Sequence, residues 1–438
     1  MSFKPYPKYK ESGVEWLGRV PEHWAIAPLK AVASHNNDVL PEDTPPDQEI
    51  TYVDISGVEA GRGIIGSDTM TFSAAPSRAR RRVRHGDVIV STVRTYLRAI
   101  APIADPEDNL VVSTGFAVIR PLERLSTGYA GYLLSAGYFI EQVIARSTGV
   151  SYPAINASDL VAIHTLIPPL DEQVAIAAFL DHETAKIDAL IAEQQRLIEL
   201  LQEKRQSVIS HAVTKGLNPN APMKDSGIEW LGGVPEHWIT LPSRRLFSQR
   251  NESAEATDKQ VTASQKHGIV FQADFVEMEG RRVVETITGT HTLRRCYPND
   301  FVISLRSFQG GIEWCRIQGS ITFHYVVLTP LKCVYEPFFA HLFKSEAYIQ
   351  ALRSTTNLIR DGQDLRYSHF VQVPLPVVPL EEQRAIAAFL DASVTKFDAL
   401  VVEASKFISL LQERRSALIS AAVTGQIDVR SFAGTEAA

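Results

Sequence analysis

Two stretches of this chain return almost unchanged, and their return limits the folds open to it. Ser12–Trp24, reading SGVEWLGRVPEHW, comes back as Ser226–Trp238, reading SGIEWLGGVPEHW. A longer block opens with Pro169-Leu170-Asp171-Glu172-Gln173 and again with Pro379-Leu380-Glu381-Glu382-Gln383. It passes through AIAAFLD at 175–181 and 385–391 and closes with Ala212-Val213-Thr214 and Ala422-Val423-Thr424. Aligned without gaps, more than half of its positions are identical. The offset is 214 residues for the first block and 210 for the second, far beyond the period of a stacked-repeat solenoid. The chain is therefore two copies of one module. The segments between the repeats, roughly 25–166 and 239–376, match in length but hardly in sequence. A faint echo survives in Gly86-Asp87-Val88-Ile89-Val90-Ser91 against Asn299-Asp300-Phe301-Val302-Ile303-Ser304.

The repeated blocks predict helices. After Pro169 the next proline is Pro219, and the residues between are rich in Ala, Leu, Ile, Gln, Glu and Lys. Proline before the stretch and Gly216 after it stand where start and stop signals belong. Leu180, Ile187, Leu190, Leu197, Leu201 and Val208 recur mostly at spacings of 3, 4 and 7 and form an apolar seam. Leu390, Phe397, Leu400, Phe407, Leu411 and Leu418 repeat it. At 1.5 Å per residue each helix reaches about 60 Å, a length that calls for a partner helix. The simplest solution packs the two copies antiparallel about a pseudo-twofold axis; each lying on its own domain is the alternative. The expected fold is α+β, with two mixed α/β domains separated by two long antiparallel coiled-coil helices. The expected boundaries are 1–166 for the first domain, 167–216 for the first helix and 217–225 for a linker. The second domain takes 226–376, the second helix 377–427, and a flexible tail 428–438.

The unlike segments hold short β-branched runs such as Ile50–Ile55, Val88–Val93, Val111–Val118, Phe301–Leu305 and Ile321–Leu328, punctuated by Gly, Pro, Asn and Asp. Each has a helical patch near its end, Gly131–Ile144 and Phe338–Leu352. Net charge is −6, which argues against a protein that coats nucleic acid indiscriminately, but the charge is partitioned. Arg62–Arg98 carries eight arginines against two aspartates, and Arg281–Arg316 six against three acids. Asp171–Arg205, on the first helix, carries eight acids against four bases.

The motifs of catalysis are missing. Gly61-Arg62-Gly63-Ile64-Ile65-Gly66 satisfies GxGxxG, but the residues after it have no helical period and include Pro76, so a hairpin turn is expected instead of a dinucleotide fingerprint. There is no Asx-Pro-Pro-aromatic tetrapeptide, no phosphate-binding GxxxxGK[ST] loop, no HExxH and no cysteine–histidine cluster at metal spacing. Cys296, Cys315 and Cys333 form no CxxC pair, which fits buried small side chains in a reducing cytoplasm. No apolar run approaches the roughly 20 residues that span a bilayer. Together these point to a binding protein, either a DNA reader or an adaptor whose unlike domains bind protein.

The paired Pro-Leu-[Asp/Glu]-Glu-Gln…Ala-Ile-Ala-Ala-Phe-Leu-Asp helices and paired Gly-[Val/Ile]-Glu-Trp-Leu-Gly-x-Val-Pro-Glu-His-Trp starts resemble the specificity subunits of type I restriction–modification systems. The resemblance spans essentially the whole chain. It implies a non-catalytic subunit in which each variable segment is a target recognition domain reading one half of an asymmetric, split DNA site. It implies that the paired helices set the gap and dock two methyltransferase subunits, that motor–nuclease subunits join for cleavage, and that S-adenosylmethionine, ATP and magnesium are held by those partners. Residues expected to meet DNA in the first domain are Arg78, Arg80, Arg81, Arg82 and Arg84, with Arg94, Tyr96 and Arg98. In the second they are Arg281, Arg282, Arg294, Arg295, Arg306, Gln309, Arg360 and Arg366. Trp16, Trp24, Trp230 and Trp238 belong to the repeated frame, and packing is expected of them instead of base contact.

Overall fold

The computed structural model describes residues 4–255, 257–280, 293–356 and 365–432. The chain forms two compact units: Met1–Gln194 with Lys406–Ala438, and Gln195–Ser405. Two long helices, α1 (Leu170–Lys215) and α2 (Leu380–Val423), each contribute one part to either unit.

In the first unit the main sheet has strands β1 (Ala33–His35), β2 (Val88–Ser91), β3 (Ile100–Pro102) and β4 (Phe116–Pro121), in the order β3-β2-β4-β1. In the second unit β5 (Phe247–Arg250), β6 (Phe301–Ile303), β7 (Glu313–Trp314) and β8 (Val326–Pro330) lie in the matching order β7-β6-β8-β5. The unlike sequences thus keep one sheet, and the faint echo noted above is the central strand of each copy. A second four-stranded sheet, built from Glu49–Val53, Asp68–Thr71, Ala79–Arg82 and Leu110–Ser113, is added in the first unit. In its place the described residues of the second unit form the strand pairs Val261–Ser264 with Gly268–Phe271 and Arg294–Cys296 with Gly319–Ile321. Each expected helical patch resolves into two short helices, Thr127–Ser135 with Gly137–Ala145 and Glu336–Leu342 with Glu346–Ser354.

The repeated residues are repeated because they lock each unit together. Gln173, fully buried, donates through Nε2 to the carbonyls of Pro168 (2.8 Å) and Arg124 (3.0 Å), and its Oε1 accepts from Ser126 N (2.8 Å). Gln383 does the same with Val378 (2.7 Å), Cys333 (3.0 Å) and Tyr335 N (2.8 Å). Both amide protons and the oxygen find partners, which is what a buried amide requires. Glu172 pairs with His23 at 2.8 Å and accepts from Tyr6; Glu382 pairs with His237 at 2.7 Å and accepts from Trp238 Nε1 at 3.0 Å. Trp24 and Trp238 are fully buried, Trp230 packs edge-on against Tyr348, and Trp16 lies at the surface under the Arg146 guanidinium. Trp24, Trp230 and Trp238 are thus packed as expected, and Trp16 departs from that expectation.

Within each unit the two helices run antiparallel. Arg415 donates to Asp188 (2.9 and 3.3 Å) in the first unit, and Arg205 meets Asp398 at 3.3 Å in the second. These ion pairs are copies of one another, since Asp188/Asp398 and Arg205/Arg415 each stand 210 residues apart.

The seam differs from the expected one. Leu180, Ile187, Leu390 and Leu411 are buried, and Leu201, Val208, Phe397 and Leu418 are half-buried, but Leu190, Leu197, Leu400 and Phe407 are exposed. Ile191, Ile198, Val401 and Ile408 take their places half-buried. The side chains turned inward on α1 are Ile187, Ile191, Gln194, Ile198, Leu201, Arg205 and Val208, an alternation of 4 and 3. Leucine and isoleucine adjacent in sequence satisfy the same periodicity, so spacing alone chose the wrong member of each pair.

Of three further expectations, the first holds and the other two change. Gly61 and Gly63, both at φ +77°, shape the hairpin Val58–Glu59/Gly63–Ile64, so the GxGxxG run is a turn. Cys296 and Cys315 are buried, but Cys333 is exposed on a left-handed residue (φ +69°), its carbonyl taken by Gln383. Residues 428–432, expected as a flexible tail, are packed. Val429 is buried, Asp428 N–H donates to the Lys4 carbonyl (2.8 Å), and the Phe432 ring meets Phe179 edge-on at 5.1 Å. Among the described residues no helix is long and apolar enough to cross a membrane.

Candidate nucleic-acid interface

The arginine run at 78–84 falls on the strand Ala79–Arg82 and its flanks, and its side chains are mostly used within the unit. Arg84 donates to Asp38 through Nε (3.0 Å) and a terminal nitrogen (2.6 Å), and Arg82 approaches the same carboxylate at 4.0 Å. Arg78 donates to Asp54 (2.9 Å). Arg80 lies over the Phe72 ring at 4.6 Å and donates to the Ser77 carbonyl. Arg81 is half-buried with one terminal nitrogen unpartnered, and desolvation pulls its pKa below the ordinary arginine value. Its strand neighbour is Val112. Asp38 and Asp54, which a linear count over 62–98 does not include, therefore offset part of the local surplus of positive charge by pairing with Arg78, Arg82 and Arg84.

A different part of the first unit presents free cations. Beyond β2 the chain makes one 3-10 turn, Thr95–Leu97, held between Arg94 and Arg98, both in the left-handed conformation (φ +53° and +54°). Such a conformation costs a non-glycine residue of order 1–3 kcal/mol and persists only where surrounding contacts impose it. Here Thr95 supplies them: its N–H donates to Pro153 O (3.4 Å) and its hydroxyl meets Ser147 at 2.7 Å. Arg94, Tyr96, Leu97 and Arg98 are all exposed, and the Arg94 guanidinium stacks over the Tyr152 ring at 4.7 Å. Neither Arg94 nor Arg98 has a carboxylate within ion-pair distance among the described residues. Tyr152 and its neighbour Val150 are the members of this tip that sequence reasoning missed. The available signal was Gly149-Val150-Ser151-Tyr152-Pro153, an apolar-aromatic run inside turn residues.

The second unit carries its counterpart at the same place in the sheet. Beyond β6, exposed Arg306 precedes and exposed Gln309 lies on the one-turn helix Ser307–Gly310, which Ser304 and Ser307 tie down (Ser304 N to Ser307 Oγ, 2.8 Å). Arg294 is half-buried and donates to Asn251 (2.7 Å). Arg295 is a structural cation: it donates to Glu252 (3.2 Å), Glu255 (2.7 Å) and Asp258 (3.0 Å), and the Asp258 bond in the first place holds its pKa above the ordinary arginine value. Arg366 is exposed just before the turn Tyr367–Phe370, and its N–H donates to His369 Nδ1 (3.0 Å). Arg281, Arg282 and Arg360 lie outside the described residues. Among the described residues no group of three or more His, Cys, Asp or Glu side chains could hold a metal ion.

The helices present a second surface. The exposed apolar residues Leu190, Leu197 and Leu200 of α1 recur as exposed Leu400, Phe407 and Leu410 of α2. An outward apolar stripe thus stands at matching positions of both helices.

Residues 69–201 match the family described as type I restriction modification DNA specificity domain. The putative type I restriction enzyme MjaX specificity subunit of Methanocaldococcus jannaschii is 22% identical over 97% of this chain and 98% of its own length. The type I restriction enzyme EcoKI specificity subunit of Escherichia coli strain K12 is 20% identical over 94% of this chain and 90% of its own. A chain solved in work on the complex assembly and conformational transition of the type I R-M system has a TM-score of 0.69 and 21% identity, covering 93% of this chain and 99% of that one. The HsdS subunit from Thermoanaerobacter tengcongensis has a TM-score of 0.51 and 22% identity, covering 93% and 98%.

Proposed function

We propose, for a chain that belongs to the specificity subunits of type I restriction–modification systems, a role as the DNA-reading, non-catalytic component of such a complex. Each unit reads one half of an asymmetric split site, and the helices set the gap. Two methyltransferase subunits dock on the helices through the repeated stripe, and motor–nuclease subunits complete the cleaving assembly. S-adenosylmethionine, ATP and magnesium belong to those partners. The observation that carries this reading is one frame, repeated down to its buried glutamine and its Asp–Arg pair, bearing unlike recognition domains. Identical frames suit identical partners; unlike domains suit unlike half-sites.

DNA contact is assigned to Arg94, Tyr96, Arg98 and Tyr152 in the first unit and to Arg306 and Gln309 in the second. Arginine engages guanine edges or phosphates, glutamine adenine. The test is methylation mapped across a genome by the chain co-expressed with its methyltransferase. Arg94→Ala with Arg98→Ala is expected to relax one half-site, to lower methylation of the full target about 100-fold, and to leave the other half-site as selective as before. The salt dependence of binding should flatten by about two units of slope if both arginines hold phosphates. Unchanged preference at both half-sites would overturn the assignment.

A further inference from the structure

We infer that the first unit recognises a thymine through its 5-methyl group, by an apolar contact from Val150 at the tip it forms with Tyr96, Leu97 and Tyr152. The inference rests on the reading of this chain as a DNA reader and adds the chemistry of one contact.

Four large apolar side chains are exposed here together. Val150 is 102% exposed, so nothing in its own chain touches it, and Tyr152 is 59% exposed. The loop presenting them is closed and stiff. Thr148 and Ala154 exchange both backbone hydrogen bonds at 2.9 Å, and Gly149 sits at φ +107°, where an added Cβ would lie 3.1 Å from the Tyr152 carbonyl. Only glycine fits, and its turn holds Val150 outward. The loop is fastened to the turn carrying Tyr96 and Leu97 by the bonds from Thr95 to Pro153 and Ser147, and by Arg94 stacked on Tyr152.

Charge around the tip narrows the choice of partner. Arg94 stacks on Tyr152 and Arg98 closes the turn that carries Tyr96 and Leu97, and neither has a carboxylate within ion-pair distance among the described residues. An apolar spot flanked by unpaired cations fits a surface whose apolar spots sit among anions. In the major groove of a duplex the apolar group is the thymine methyl, flanked on both sides by phosphates. Valine, branched and stiff about χ1, reaches such a methyl with little rotamer entropy to lose.

The experiment uses the full chain assembled with its methyltransferase subunits and a duplex carrying the mapped target. Each thymine of the half-site read by the first unit is replaced in turn by deoxyuridine, which lacks the methyl and keeps the pairing. At one position affinity is expected to fall about fourfold, the effect of one methyl left unburied. The Val150→Ala complex should bind the thymine duplex about as weakly and no longer distinguish the two bases at that position. Equal binding of thymine and deoxyuridine duplexes at every position, a half-site without T·A pairs, or discrimination that survives Val150→Ala would overturn the inference. So would loss of subunit association in the variant with DNA affinity unchanged, which would make the tip a protein contact. The reading beneath it fails separately, if the unaltered complex shows no preference for its mapped target over unrelated duplex.

Discussion

Asp87→Ala is expected to cost the first unit about 3 kcal/mol, while the second unit keeps its protection from solvent. Asp87 is 1% exposed, and both its oxygens are taken by Arg120 (2.8 and 2.7 Å), with Arg84 N–H as a third donor (2.8 Å). That bond to Asp87 is the first cause holding the Arg120 pKa above its ordinary value. Removing the carboxylate leaves a largely covered guanidinium with only Asp38, 4.0 Å away, and breaks the anchor of the turn before β2. Asp87→Asn keeps an acceptor for either donor and is expected to cost about 1 kcal/mol. A chain of two units has no single unfolding transition to read, so hydrogen exchange is the suitable measurement. Protection should fall over β2 and β4 and stay over β6 and β8; uniform loss in both units, or none, would contradict the account.

Leu410→Asp and Leu411→Asp are expected to give opposite failures. Leu411 is 6% exposed in the seam, and placing a carboxylate there strands a charge among apolar groups, at a cost of about 3 kcal/mol or more. Leu410 is 51% exposed on the outward stripe, where the same change should move stability by no more than about 0.5 kcal/mol. If the stripe is where the methyltransferase docks, Leu410→Asp should weaken that association about 100-fold, the scale of losing one well-buried interface anchor. Hydrogen exchange over the first unit and co-purification of the partner separate the two. A Leu410→Asp chain that still co-purifies with its partner at full yield would remove the stripe from the docking surface.

Much of the frame was legible because it is written twice. Identity alone pairs Glu172 with Glu382 and Gln173 with Gln383, and the helical period of the second block needs no partner to be seen. What spacing could not supply was the choice between Leu190 and Ile191 or between Leu197 and Ile198, since each pair fits a 3.6-residue repeat nearly as well. Arginine function was less legible still. Arg84 is neutralised by Asp38, 46 residues earlier, and Arg295 by acids about 40 residues earlier. The lock on the central strand draws Arg120 from β4 in the first unit but Arg250 from β5 in the second, so no alignment of the copies exposes it. Tyr152 joins Arg94 only because the loop after the short helices folds back on the strand ends. That closeness is made by tertiary packing and leaves no local mark.

The manner in which the first unit closes has a consequence for how the chain comes off the ribosome. Its core includes Ile419, Ala422, Val423 and Val429, and its opening residues are held by Gly425 and Asp428, so it lacks its last wall until those residues have been made. The second unit lies wholly within Gln195–Ser405 and is in hand earlier. Synthesis runs from the amino end, yet the half begun first is the half completed last. The nascent sheet of the first unit must wait, with part of its apolar surface open to solvent or chaperone, for the second half of α2 and Val429 to arrive.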